Sequence, residues 1–161
     1  MNLVPLSQLF SVTYGVNLEL NRMTLDAAGV PFVGRSDRSN GVTARVAPIP
    51  GLTPNPARTL SVAGGGSVLA TFLQVEPYYS GRDLFYLTPL LEMTDSQMLY
   101  YCACIRANRY RYSYGRQANK TLKDLPLPSI ASLPSWVSDG LPRVVTGLSS
   151  RLQSVIPSTT G

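Results

Sequence analysis

The sequence predicts a mixed α/β fold of the α+β kind: a sheet-rich globule with one central helix and a short amphipathic helix near the C-terminus. Three observations carry this expectation. Short runs with period-two alternation, bounded by Gly, Pro, Asn and Ser, recur along the chain, as strands require. Asp95 to Ala107 carries helical spacing together with a start signal. Too few helices remain for the crossovers of a doubly wound parallel sheet. At 161 residues the chain can bury a core without disulfides or metals. The expected division is a globule over 1–137 and a linker with a short helix or tail over 138–161.

The elements follow in order. Leu3 to Phe10 is a short lead-in, and Phe10 to Tyr14 alternates as a strand that ends at Gly15. Val30 to Val33 is β-rich and opens into a polar loop, Gly34 to Gly41. Val42 to Val46 resumes a strand, and the four prolines of 47–56 keep that stretch out of a sheet. Thr59 to Val62 and Ser67 to Gln74 form a hairpin about the turn Gly64 to Gly66. Tyr78 to Asp83 reads as a polar-aromatic loop, and Leu84 to Leu87 as a buried strand. Thr94 and Gln97 match a capping box. Behind it, Met98, Cys102 and Ile105 fall on one helical face. Arg109 to Tyr114 alternates again, which predicts a strand with Arg109 and Arg111 on one face and the tyrosines on the other. Leu125 to Pro128 suits a sheet edge. Leu141, Val144, Val145, Leu148, Leu152 and Val155 mark a short amphipathic helix, with Pro142 suited to its first turn.

Composition narrows the chemistry. The chain has no histidine and two cysteines, Cys102 and Cys104. Ser-His-Asp and Cys-His catalysis are therefore excluded, and the usual zinc sites cannot be assembled. The two cysteines stand too close for an easy disulfide and read as small apolar residues in a reduced, cytoplasmic compartment. The nine acids are scattered, and Gly64-Gly65-Gly66 lacks the following Lys of a phosphate loop. No run approaches the length of a membrane span, and the N-terminus does not read as a secretory signal. The expectation is a binding protein with no cofactor, no metal, no catalytic residue and no membrane association. Its net charge of +5 and pI of about 9.5 favour a polyanionic partner.

Two segments carry that reading. Arg106 to Lys123 holds Arg106, Arg109, Arg111, Arg116, Lys120 and Lys123 with no acid among them, interleaved with Tyr110, Tyr112 and Tyr114. Guanidinium forks suit phosphates and the O6/N7 edge of guanine, while Gln117 and Asn119 have the amide geometry that pairs with adenine. The loop Arg35, Ser36, Asp37, Arg38, Ser39, Asn40 offers two further arginines, an amide and small hydroxyls. Tyr79 and Arg82 stand in the polar-aromatic stretch, near which the glycines allow close backbone approach. The bland alternatives are a solvated face backed by core tyrosines, a polar surface loop and a simple hairpin turn.

The order of these segments resembles the target-recognition domain of type I restriction-modification specificity subunits. Leu6 to Gly15 is similar to the opening stretch of such domains, and Val30 to Gly41 to their Pro-Phe-Val strand with its Arg and Asn-Gly. Leu60 to Ser67 resembles their hairpin. Tyr112 to Pro128 resembles a Gly-Arg-Gln-x-Asn stretch with a Leu-Pro strand, and Leu133 to Val137 the close. The resemblance spans Leu6 to about Val137. It implies a non-catalytic globule that reads one half of a bipartite duplex DNA site and serves a DNA methyltransferase subunit. Expected DNA-binding residues are Arg35, Ser36, Arg38, Asn40, Tyr79, Arg82, Arg109, Arg111, Tyr114, Arg116, Gln117, Asn119 and Lys120. Leu141 to Val155 is far shorter than the family's spacer helix; a lone helix of that length is marginal in water, so its stripe is expected to pack either on its own domain or, through Leu148 and Leu152, on a partner, a second copy or the methyltransferase. The alternative is an adaptor or inhibitor of the same fold that binds a protein. Pairing of the arginines with Asp37, Asp83 and Asp124 would favour it. A metal-dependent nuclease ranks third.

Overall fold

The computed structural model describes residues 1–112, 118 and 120–137. Nine strands and one long helix follow in the order β1 (Leu3–Pro5), β2 (Phe10–Tyr14), β3 (Leu25–Val33), β4 (Val42–Val46), β5 (Thr59–Ala63), β6 (Thr71–Gln74), β7 (Tyr79–Ser80), β8 (Leu84–Pro89), α1 (Asp95–Ala107) and β9 (Pro126–Pro128). The predicted mixed, sheet-rich class with one central helix is the observed one. A four-stranded antiparallel sheet runs β2-β8-β5-β6. A three-stranded sheet runs β4-β3-β7, in which β7 joins β3 in parallel, and β1 pairs with β9.

The main core lies between the larger sheet and α1. Leu60, Val62, Leu73 and Leu87 from the sheet meet Met98, Tyr101, Cys102 and Ile105 from the helix. Strand β5 is buried along its whole length because both faces are covered. Leu60 and Val62 point at the helix side, while Thr59 and Ser61 point the other way, as alternation demands. The Thr59 hydroxyl meets the Tyr78 hydroxyl at 3.0 Å, and Ser61 accepts from Gln74 Nε2 at 3.0 Å. These bonds satisfy polar groups that would otherwise be costly to bury. The helix begins as predicted: Thr94 Oγ1 accepts from the Gln97 N–H, and Gln97 Oε1 accepts from the Thr94 N–H.

Three expectations are corrected. Tyr78 and Tyr79 do not lie in an open loop: Tyr79 opens β7, Tyr78 bridges Asn55 just before it, and both are almost fully buried. Consecutive residues in extended backbone point to opposite faces. Tyr78 accordingly joins the cluster with Val33 and Leu84, and Tyr79 the cluster with Phe32 and Val46. The segment after α1 is not a strand: Asn108–Arg111 is a 3-10 turn that prolongs the helix. Ser67 to Ala70 also stays outside β6, which begins only at Thr71.

β6 is one of the two edge strands of the larger sheet, a position that invites pairing with another chain. Two side chains close it. Arg106 donates from Nε and Nη2 to the Thr71 carbonyl at 3.1 and 2.9 Å, and its guanidinium lies 4.4 Å from the centre of the Phe72 ring. Asn40 Nδ2 donates to the Leu73 carbonyl at 3.3 Å.

Candidate nucleic-acid interface

Four chain segments converge at one end of the sheets: the β3–β4 loop, the β5–β6 turn, the β7–β8 turn and the residues that follow α1. Backbone bonds hold them together. The Gly64 N–H donates to Asp83 O at 2.7 Å, Ser67 N–H to Arg35 O at 3.4 Å, and Ala118 N–H to Gly64 O at 2.9 Å. Gly64 and Gly65 are buried in this junction. Gly66 has φ of +61°, and a Cβ there would stand 3.1 Å from Arg35 Cβ, so only glycine fits that backbone. The three glycines therefore serve loop packing.

The junction carries Arg35, Arg38, Arg82 and Arg109 against two carboxylates, Asp37 and Asp83. Asp83 is largely buried, with a left-handed φ of +55°. Its N–H donates to the Tyr14 hydroxyl at 2.9 Å. Its Oδ2 accepts from Arg35 Nη1 at 3.2 Å and lies 3.6 Å from Arg82 Nε. Arg109 donates from Nε to the Val68 carbonyl at 2.9 Å and from Nη1 to Asp37 at 3.2 Å. Among the described residues its other Nη is buried without a hydrogen-bond partner. Arg82 and Arg38 are exposed, and so is Lys120, which follows two residues after the Ala118 anchor. Ser36 accepts from the Arg38 N–H at 3.1 Å and so shapes the loop.

The structure thus brings five of the candidate residues, Arg35, Ser36, Arg38, Arg82 and Arg109, to one end of the sheets, and places others elsewhere. Tyr79 is a core residue whose hydroxyl accepts from the Ile49 N–H at 2.9 Å, so no surface contact is open to it. Asn40 is exposed, but its amide donates to Leu73 and Gln74 while Gln74 donates back to its carbonyl at 2.9 Å. Arg109 and Arg111 do not share a face, because two residues on a 3-10 turn stand about 240° apart. Arg111 turns back to Asn108 Oδ1 at 2.8 Å and lies 5.2 Å from the Tyr110 ring centre. Tyr110 is exposed rather than core. Tyr114, Arg116, Gln117, Asn119, Leu148 and Leu152 lie outside the described residues. Tyr14 was missed. Its one signal in sequence is its place at the end of a strand, immediately before Gly15.

Burial pushes the Cys102 thiol up to about 12 and raises Cys104 as well, so neither is a thiolate nucleophile at neutral pH. Among the described residues no helix is long and apolar enough to cross a membrane.

No family model and no curated protein matches the sequence. Solved structures do match in shape. The type I restriction-modification S subunit from M. genitalium is similar with a TM-score of 0.61 at 15% identity, over 95% of this chain and 40% of that one. The HsdS subunit from Thermoanaerobacter tengcongensis gives 0.60 at 17% identity, over 98% and 40%. A chain from a structure describing complex assembly and conformational transition of the type I R-M system gives 0.62 at 19% identity, over 95% and 40%. The described chain therefore has the fold of a part, some 40% in length, of a type I restriction-modification specificity subunit.

Proposed function

We propose that the protein recognises duplex DNA in a sequence-specific way, as the non-catalytic specificity component of a cytoplasmic restriction-modification or methyltransferase complex. The observation that carries this reading is the convergence of arginines from three separate segments at one end of a fold shared with specificity subunits. Arg35, Arg38, Arg82 and Lys120 would meet phosphates and base edges, joined by Tyr114, Arg116, Gln117 and Asn119. Arg109 would brace the loops. Phosphate contacts make affinity fall steeply with salt. The test is selection from a random duplex library, with and without a methyltransferase subunit. A single enriched motif is expected. Recovery of no motif with the methyltransferase present would overturn the reading.

One observation favours a second reading. Arg109 pairs with Asp37 and Arg35 with Asp83, which removes charge that a phosphate would otherwise meet. An adaptor or inhibitor that binds a restriction complex through the same surface is consistent with that. A stable complex with such a partner, formed without DNA and blocked by Arg82→Glu, would favour it.

Leu148 and Leu152 are proposed to dock a second copy of the chain or the methyltransferase. Leu148→Asp with Leu152→Asp should leave a folded protein that loses its complex on a sizing column. Unfolding of the double variant would instead assign the stripe to the protein's own core.

A further inference from the structure

We propose that Asp83 is a positioning residue that makes Arg35 a reader of a base edge rather than a phosphate contact. This rests on the DNA-binding reading above. Arginine serves DNA in two ways: as a mobile cation on phosphate, or as a fixed fork on guanine O6 and N7. The second needs a guanidinium whose orientation is set before contact, because a loose fork loses rotamer entropy on binding and is drawn to any phosphate.

Arg35 has the features of the fixed kind. Its backbone carbonyl accepts from Ser67, its Cβ packs against Gly66, and Nη1 is held by Asp83 while the side chain stays 37% exposed. Asp83 is itself fixed on independent sides. The Tyr14 hydroxyl takes its N–H, Gly64 takes its carbonyl, and its backbone is left-handed, a conformation that costs energy for a residue with a Cβ. Strain kept at a buried carboxylate beside two arginines is the kind that collects at binding sites. The carboxylate also cancels Arg35's pull on the DNA backbone. In a non-specific complex that cancellation weakens binding. In the specific complex the donors of Arg35 not bound to Asp83 meet a base, and the pair survives. Arg82, on the rim beside the same carboxylate and 76% exposed, stays the phosphate contact.

Two variants test this. Asp83→Asn keeps a residue that accepts positive φ and removes the charge. Arg35→Lys keeps the charge and removes the fork. Wild type should enrich a motif with a defined guanine. Asp83→Asn should bind random duplex 3- to 10-fold more tightly, elute later from heparin, steepen the salt dependence by about one phosphate contact, and lose preference at that guanine. Arg35→Lys should lose the same preference while keeping random-duplex affinity. If wild type enriches a motif and both variants keep it unchanged, the positioning role fails while DNA recognition stands. If wild type binds no duplex at low salt, the DNA reading and this inference fall together. Should Asp83→Asn not fold, Asp83→Gly, suited to the same backbone, and Arg35→Lys decide the matter on the motif alone.

Discussion

The edge of β6 and the loop junction both use arginine, and they use it against different partners. At the edge, Arg106 donates twice to the Thr71 carbonyl and covers Phe72. At the junction, Arg35 and Arg82 face the Asp83 carboxylate. A neutral carbonyl in a buried strand has no substitute partner, so an arginine bound there belongs to the scaffold. A carboxylate at the surface occupies only part of the guanidinium fork, so an arginine held by one keeps donors turned toward a ligand from outside. Arg109 spans both cases, with Nε on the Val68 carbonyl and Nη1 on Asp37. Charge density along the sequence treats all of these residues alike. Their acceptors separate them.

The largest expected effect breaks the edge. Arg106→Ala should lower unfolding free energy by about 2–3 kcal/mol, the range for hydrogen bonds from a charged donor with a cation–π contact added. It should also leave the β6 edge open at Thr71, which favours strand-to-strand association. Denaturant titration and sedimentation velocity at rising concentration check both. A stable monomer at every concentration would return Arg106 to the surface class. Arg82→Ala should do the reverse. Its side chain is exposed and its ion pair is 3.6 Å long, so stability should move by less than about 0.5 kcal/mol. Duplex affinity should fall and the salt slope should lessen by about one. A fall in stability without a change in salt slope would place Arg82 with the scaffold.

Much of this division was legible in the sequence, though not its decisive part. The capping box at Thr94 and Gln97 and the stripe Met98, Cys102, Ile105 fixed α1 to the residue, because helix signals are local. Strand β5 was equally plain. The tyrosines at 78 and 79 misled because two adjacent aromatics read as a surface loop, whereas strands covered on both faces bury both neighbours. Arg109 to Tyr114 misled for a related reason. Alternation over so few residues is too weak a signal to outweigh the tightening of α1 into a 3-10 turn, which Asn108 holds by bonding back to Cys104 O at 3.0 Å. The pairs Arg35–Asp83 and Arg109–Asp37 span 48 and 72 residues. No local pattern predicts them, and they decide which arginines face outward.

Thr94→Ala sharpens the comparison from the helix's other end. It removes the side-chain oxygen that accepts from the Gln97 N–H at 3.2 Å, which costs about 1 kcal/mol. Because α1 carries Arg106 but not Arg35 or Arg82, the variant should lower stability and leave duplex affinity unchanged once corrected for the folded fraction. Parallel loss of both would mean that the helix positions the loop junction as well as the edge.

The smallest effect concerns pH. Burial raises the Cys102 thiol from its ordinary value to about 12, and Tyr101, whose hydroxyl donates to the Pro128 carbonyl at 2.7 Å, is also pushed up to about 12. Both groups are neutral in the folded protein near pH 7, and both sit in the core against the sheet. With folded values above unfolded ones, the unfolded chain loses its protons first as pH rises. Their contribution is therefore fully present below the unfolded thiol value of about 8.5 and drains away as pH climbs toward 12. Stability measured by denaturant should be flat from pH 6 to 8 and decline above pH 9. Cys102→Ala should flatten the first part of that decline at a cost in stability at neutral pH, since it leaves a small void against Leu73 and the helix. An alkaline limb that is unchanged in Cys102→Ala would show that this thiol is not the group released, and would leave the other groups raised by burial, Tyr101, Tyr78 and Cys104, as its source.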